Sequence, residues 1–269
     1  MERDRGRAGL SRRALLTGTA GVAVVAAGAA LVDARVLPGK GHIERALHIA
    51  PGQGVDASIP AVEAGPIVSG RFASARFRRR VGWAVAYPPG SRDGAALPVA
   101  VALPGRGVSG VGFLHDIGYP SFLAAGVDGG GRPYAIAGVD GGTSYWHPRA
   151  GGDDPLGMLV DELLPLLDRM SLRTSTFGVL GVSMGGYGSL LLARQSSRDA
   201  LRGRHLAVAA AASPALWESS GATAPGAFDD ADDWREWGDL VAHPGVAPDT
   251  ALWVSCGDGD PFAASTRAY

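Results

Sequence analysis

The sequence is poor in residues on which several classes of protein depend. Its 269 residues include one cysteine, Cys256, which excludes an intrachain disulfide and a zinc site built from cysteines. Neither sign of charge is in excess, because 25 Lys and Arg face 26 Asp and Glu, and the net charge of −1 gives no global attraction to nucleic acid. Hydrophobic residues make up 46% of the chain, too many for a disordered protein. What is abundant is glycine, with 41 residues, and this predicts many tight turns between short elements.

The first 34 residues have the pattern of an export signal. Ser11-Arg12-Arg13 follows a basic stretch and precedes an apolar run of 19 residues from Ala14 to Val32. A basic region, paired arginines and an apolar region together resemble a twin-arginine signal. The run approaches the ~20 residues that span a bilayer, so cleavage at the small residues 27–29 and an uncleaved anchor both stay open. We expect an extracellular or cell-envelope protein that can associate with the membrane through residues 14–32.

After a Pro- and Gly-rich linker over residues 35–65, the chain from 66 to 269 alternates two kinds of pattern. Short apolar runs indicate strands, most of them covered on both faces, at 71–79, 81–87, 97–103, 134–139, 176–180, 206–211 and 252–255. Helical patterns lie at 155–170, 185–194 and 229–240, and Asp154 and Pro155 suit the start of the first. This alternation predicts an α/β fold with a mostly parallel central sheet and helices on both faces.

The residues that indicate chemistry are Gly181-Val182-Ser183-Met184-Gly185-Gly186. A strand leads into this G-x-S-x-G pattern and a helix-forming run leads out, which is the context of a nucleophile elbow. The serine of such an elbow lies on a strained turn, and Gly181 and Gly185 keep the turn free of side chains. A glycine-rich phosphate loop is the competing interpretation, but the spacing fits neither G-x-G-x-x-G nor the P-loop.

A nucleophilic serine also needs donors for the oxyanion that forms during attack. The backbone N–H of Met184, the residue after the serine, is one candidate. The loop Leu103-Pro104-Gly105-Arg106-Gly107 follows an earlier strand, and the N–H of Arg106 is the second candidate. An ordinary Pro-Gly turn is the alternative interpretation of this loop.

Four segments together resemble the alpha/beta-hydrolase esterase family that includes esterase D and the mycolyltransferases. They are residues 103–107, residues 140–149 with Trp-His-Pro-Arg, the serine elbow, and residues 256–262 with Cys-Gly-Asp-Gly-Asp-Pro-Phe. One departure is Pro104, where many members carry histidine. The resemblance implies that Ser183 is the nucleophile and Asp260 the triad acid, with Asp258 as the alternative. It also implies that no metal or organic cofactor is needed.

The triad histidine has no candidate in the expected order of serine, acid and histidine. No histidine follows Asp260, and the six histidines lie upstream at positions 42, 48, 115, 147, 205 and 243. His147 is expected to be a structural residue or to line the pocket rim, with a role as substitute base as the alternative. We expect that the chain lacks the last strand and the histidine loop of the fold, and that the native gene continues past Tyr269. Ser183 without a base is a weak nucleophile, so this chain is expected to be inactive unless a base is supplied.

Three tryptophans are candidates for an acyl pocket, with packing in the core or in a lid as an equal alternative: Trp146, Trp217 and Trp234. Asp153 and Asp154 have no further metal ligands nearby, which favours helix capping over a metal site. We therefore expect a serine esterase that cleaves small-molecule or lipid esters through an acyl-enzyme. Acyl transfer to a sugar or lipid alcohol and a non-catalytic envelope protein are the alternatives.

Overall fold

The computed structural model describes residues 58–197 and 199–269. The expected signal, His42, His48 and residues 35–57 of the expected linker therefore lie outside the described residues. Seven strands form one sheet: β1 (Ile67–Ser74), β2 (Arg79–Ala86), β3 (Pro98–Leu103), β4 (Ala135–Val139), β5 (Arg173–Val182), β6 (His205–Ala212) and β7 (Ala251–Ser255).

The helices of the described chain flank this sheet. They are α1 (Gly110–Asp116), α2 (Tyr119–Asp128), α3 (Pro155–Met158), α4 (Leu164–Arg169), α5 (Met184–Arg194), α6 (Ala231–Asp233) and α7 (Ala263–Ala268). π-helical segments follow α3 (Leu159–Leu163) and α6 (Trp234–Gly238), and a 3₁₀ turn spans Ser220–Ala222. None of the helices in these described ranges is long and apolar enough to cross a membrane.

The sheet order is β1-β2-β4-β3-β5-β6-β7. Strands β3 to β7 are mutually parallel, whereas β2 runs antiparallel to both β1 and β4. The expected α/β fold with a mostly parallel sheet is confirmed. Because the strands are parallel, the carboxyl ends of β3 to β7 share one edge, and the amino end of antiparallel β2 lies at that same edge.

The strand that the sequence suggested over residues 71–79 is wrong in its bounds. Strand β1 ends at Ser74 and β2 begins at Arg79, and the turn between them includes Arg78 with a φ of 51°. Arginine alternates with small or aromatic residues straight through this turn, so a period of two could not mark the boundary. Helices α1 and α2 are additional elements that the pattern analysis did not include.

The helical segment from Pro155 confirms the predicted start. The carboxylate of Asp154 accepts a hydrogen bond from the Gly157 amide at 2.7 Å, which is an N-cap. The π-helical segment directly precedes Leu164-Pro165, and a proline lacks the amide that a regular α-turn needs there. The leucine stripe of this segment is buried against the sheet, which places the main core on this face.

Candidate active site

Ser183 is the only residue between β5 and α5, and its backbone is strained. Its φ of 58° and ψ of −118° lie outside the regions that a residue with a Cβ ordinarily adopts. The strain is held by three backbone hydrogen bonds. The Ser183 amide donates to Ala212 O at 3.0 Å, and its carbonyl accepts from the amides of Tyr187 and Ala215, each at 3.0 Å.

Glycines make this sharp turn sterically possible. A Cβ on Gly181 would collide with the backbone of Gly185, and a Cβ on Gly185 would collide with the carbonyl group of Leu103. Helix α5 therefore begins directly against the end of β3 and against β5. The structure thus has the strand–turn–helix geometry that the G-x-S-x-G pattern predicts.

The two segments that carry the candidate oxyanion donors lie on either side of the serine. Met184 is the first residue of α5, so its amide has no acceptor within the helix. On the other side, the position of a Cβ on Gly105 would be 3.9 Å from Ser183 Cβ, which places the 104–107 loop beside the nucleophile. The Gly107 amide donates to Gly142 O at 2.8 Å and fixes the far end of this loop.

The side chain of Arg106 joins the oxyanion loop to a distant segment of the chain. Its Nη2 donates to the carbonyl of Pro225 at 3.0 Å. The same guanidinium lies near Tyr145, where its charge opposes the burial that raises the pKa of the Tyr145 hydroxyl. The guanidinium of Arg106 therefore places a cation beside the candidate oxyanion loop.

Asp260 lies in the loop after β7, at the same sheet edge as Ser183. Its Oδ1 accepts from the Phe262 amide at 2.8 Å. A backbone hydrogen bond of 2.7 Å from Ser213 to Ser255 O joins the ends of β6 and β7. The alternative acid, Asp258, is 96% exposed and forms an ion pair with Arg267 at 2.5 Å. The geometry favours Asp260 over Asp258 as the candidate acid, because Asp258 points into solvent.

His147 is fully buried rather than placed on an open rim. Its Nδ1 lies 2.9 Å from Pro148 O and its Nε2 lies 3.0 Å from Ala227 O, and the ring stacks on Phe228 at 4.9 Å. Burial lowers the pKa of the imidazole, while the two carbonyls and Asp233 act in the opposite direction. Since both ring nitrogens face backbone carbonyls, this placement favours the structural role over that of a substitute base.

The other described histidines are also away from the serine. His115 is exposed on α1, and His243 pairs with Asp239 at 3.2 Å. His205 begins β6 and therefore lies at the opposite edge of the sheet. Within residues 58–197 and 199–269, no hydrogen bond joins a histidine to Ser183 or Asp260.

The tryptophans expected in a pocket are mostly core residues. Trp146 has no exposed surface, and its indole fills the space that side chains on Gly141 and Gly188 would need. Trp217 is 8% exposed and packs between Tyr145 at 5.3 Å and Phe262 at 5.8 Å. Trp234 is likewise buried. The packing alternative describes these three residues better, because a side chain this deeply buried offers little surface to a substrate.

Asp140 has a positioning role that the sequence analysis did not assign to it. Its Oδ1 accepts from the Gly110 amide at 2.8 Å and its Oδ2 accepts from the Gly82 amide at 2.9 Å. It thereby ties the end of β4 to β2 and to the helix that follows the oxyanion loop. An acidic residue directly after a buried strand, followed by two glycines, was the available signal.

A family model with the description "Putative esterase" matches residues 74–267. The chain belongs to this esterase family, since the match covers well over half of its length. No curated protein sequence matches the chain significantly.

Solved structures of esterases have the same fold. A ferulic acid esterase has a TM-score of 0.60 at 16% identity, over 76% of this chain and 83% of that one. The fluorophosphonate-binding serine hydrolase F of Staphylococcus aureus has a TM-score of 0.56 at 16% identity, over 76% and 84%. An S-formylglutathione hydrolase from Agrobacterium tumefaciens has a TM-score of 0.55 at 15% identity, over 78% and 94%. At these identities the likeness establishes the alpha/beta-hydrolase fold alone.

Proposed function

We propose that the protein is a carboxylic ester hydrolase that uses Ser183 as its nucleophile. The observation that carries this proposal is the strained backbone of Ser183, held between two glycines at the start of a helix. A non-glycine residue held in a strained backbone conformation is typical of functional sites. Membership in an esterase family supports the reaction class.

The proposed reaction has two halves. Ser183 Oγ forms a bond to the ester carbonyl carbon while a base accepts its proton, and the amides of Met184 and Arg106 stabilise the oxyanion. The bond to the alcohol then breaks, the alcohol takes the proton and the acyl group stays on Ser183. Water then gives a proton to the same base and attacks the acyl carbon; the bond to Ser183 Oγ breaks, Oγ takes back the proton, and the carboxylic acid leaves. Asp260 would orient the base and stabilise its charged form.

A fluorophosphonate probe tests the nucleophile directly. With imidazole added as the base, we expect the probe to label the wild-type chain and to leave Ser183→Ala unlabelled, and the labelled peptide to contain Ser183. Ser189→Ala is the matched control, because this serine lies six residues further along α5 and its Oγ donates to Gly185 O at 3.0 Å. Equal labelling of wild type and Ser183→Ala would refute the assignment.

One observation favours a second candidate function, a hydrolase scaffold that binds without catalysis. No described histidine contacts Ser183, so the described residues do not supply the usual base. Added imidazole separates the two functions, because a small base can replace a missing histidine. A rise in ester hydrolysis by wild type over Ser183→Ala in imidazole supports the enzyme. An absence of labelling and of turnover under both conditions supports the binding scaffold.

A further inference from the structure

A cleft of about 230 Å³ lies on the other flank of the oxyanion loop from Ser183. Its walls come from the amino end of β2, the end of β4 and the oxyanion loop: Phe77, Arg79, Arg80, Val81, Gly107, Val108, Ser109, Asp140 and Gly142. Gly107 is two residues from Gly105, the loop residue beside Ser183, and two residues span at most about 7 Å. In the sheet order the amino end of β2 lies three strand spacings from the end of β5, roughly 14 Å, which a long arginine side chain and an extended substrate can span together.

The two arginines in the cleft wall, Arg79 and Arg80, differ in whether a carboxylate already pairs with them. Arg79 forms an ion pair with Asp153 and lies over the ring of Phe77. Arg80 is exposed, and among the described residues no carboxylate lies within 4.0 Å of it. Arg80 is thus a guanidinium that keeps its donors available at the cleft wall.

Asp140 is the one acid in the cleft wall, and its negative charge offsets part of the positive charge of Arg79 and Arg80. Both of its oxygens accept backbone amides, from Gly82 at 2.9 Å and from Gly110 at 2.8 Å. Those bonds satisfy the carboxylate without an arginine. Asp140 is therefore engaged by backbone amides, and it forms no ion pair with Arg80.

We propose that this cleft binds an anionic group on the ester substrate, with Arg80 as the specificity-determining residue. The inference rests on the proposed function, since it assigns a substrate class to the same site. The ester carbonyl lies at Ser183, and a carboxylate or phosphate at the far end of an extended substrate reaches across the oxyanion loop to the guanidinium. Charge-assisted hydrogen bonds are stronger than neutral ones, and the solvent exposure of Arg80 limits this gain to a modest one.

Matched ester pairs test the proposal on both sides of the ester bond. The acyl arm compares the p-nitrophenyl monoester of adipate with p-nitrophenyl hexanoate, and the alcohol arm compares 4-carboxyphenyl butyrate with 4-carbamoylphenyl butyrate. The readout is the ratio of kcat/KM for the anionic ester to kcat/KM for the neutral one. We expect Arg80→Gln to lower this ratio by about three- to tenfold in one arm, and Arg80→Lys to restore most of it.

Arg71→Gln is the control variant. Arg71 is an exposed arginine on the adjacent strand, opposite Gly82, and it does not line the cleft. We expect it to leave the ratio at the wild-type value. The wild-type ratio should also fall as ionic strength rises. Equal ratios in wild type and Arg80→Gln in both arms would overturn the proposal.

A binding measurement separates this inference from the proposed function. Titration calorimetry with adipate on the full chain needs no turnover. Weaker binding to Arg80→Gln than to wild type and Arg71→Gln supports the cleft even when neither ester is hydrolysed. Equal affinity in all three variants, or no binding to wild type, overturns it whatever the esterase assay shows.

Discussion

Gly185 is the residue at which the elbow has the least room. A side chain there would enter the carbonyl group of Leu103, and a backbone group cannot move aside as a flexible side chain does. We predict that Gly185→Ala lowers the free energy of unfolding by at least ~2 kcal/mol, the scale of overpacking in a tight interior, and abolishes fluorophosphonate labelling. Denaturant unfolding at constant m-value measures the loss.

Gly126 supplies the matched control for this substitution. It is an exposed glycine inside α2, and a Cβ there would meet no atom within 4 Å. Gly126→Ala should therefore stabilise the protein by roughly 0.5–1 kcal/mol, because alanine has the better helix propensity. A Gly185→Ala variant as stable as Gly126→Ala would show that the elbow is looser than the structure indicates.

His147 links the loop after β4 to the 227–237 segment. Its buried imidazole predicts how the stability of the protein depends on pH. Burial lowers the pKa of the folded imidazole below the unfolded value of about 6.5. The unfolded chain then takes up a proton that the folded chain resists. The His147 contribution to stability is therefore complete above pH ~6.5 and is lost as the pH falls from there towards the folded pKa.

The measurement is the free energy of unfolding between pH 7.5 and pH 5. We expect the free energy of unfolding to depend less steeply on pH in His147→Gln than in wild type, because the titrating group is gone. His115→Gln, which removes an exposed histidine on α1, is the control variant. Asp233 and Arg149 also face His147, so a slope that is unchanged in His147→Gln would assign the dependence to other groups.

At the scale of one element, the helical segment from Pro155 depends on its cap. Asp154 accepts from the Gly157 amide and satisfies one of the donors that every helix start leaves open. We predict that Asp154→Ala lowers the free energy of unfolding by ~1 kcal/mol. Asp154→Asn should lower it much less, because asparagine also caps helices. Thermal or denaturant unfolding measures both variants. Equal losses in the two variants would point instead to the exposed ion pair with Arg76.

The turn of the β1–β2 hairpin could not be predicted from the sequence pattern. Residues 71–79 alternate arginine with smaller residues, as an exposed strand does, yet the chain reverses at 75–78. The turn is held by Glu162 in the π-helical segment, whose Oε1 accepts from the amides of Ala75 at 2.9 Å and Arg76 at 3.1 Å. A contact between residues 86 positions apart leaves no mark in a local window.

For the whole molecule, we propose that the chain is exported through the twin-arginine route. The support is the order of Arg12-Arg13 and the apolar run that follows, in residues outside the described part of the chain. We predict that Arg12→Lys/Arg13→Lys holds the protein in the cytoplasm of a bacterium with this pathway. Cell fractionation and blotting measure it, with Arg5→Lys/Arg7→Lys as the control. Equal export of both variants would contradict the proposal.

Much of the fold could be predicted because the determinants are local. The strand into Ser183, the helix after it and the cap at Asp154 each follow from residues within a few positions of one another, and the structure contains all three. The tryptophans could not be placed this way. Trp146 follows a glycine-rich loop, as a pocket residue does, but its indole is buried against Gly141 and Gly188.

The sequence by itself determined the class of fold and the position of the strained serine, because glycine spacing and apolar periodicity are properties of neighbouring residues. Only the tertiary structure decided which groups meet. It buried His147 between two carbonyls, set the 104–107 loop beside Ser183 and brought Arg80 to the opposite flank of that loop. These encounters depend on strand order and on the antiparallel run of β2, and neither is encoded in any short segment of the chain.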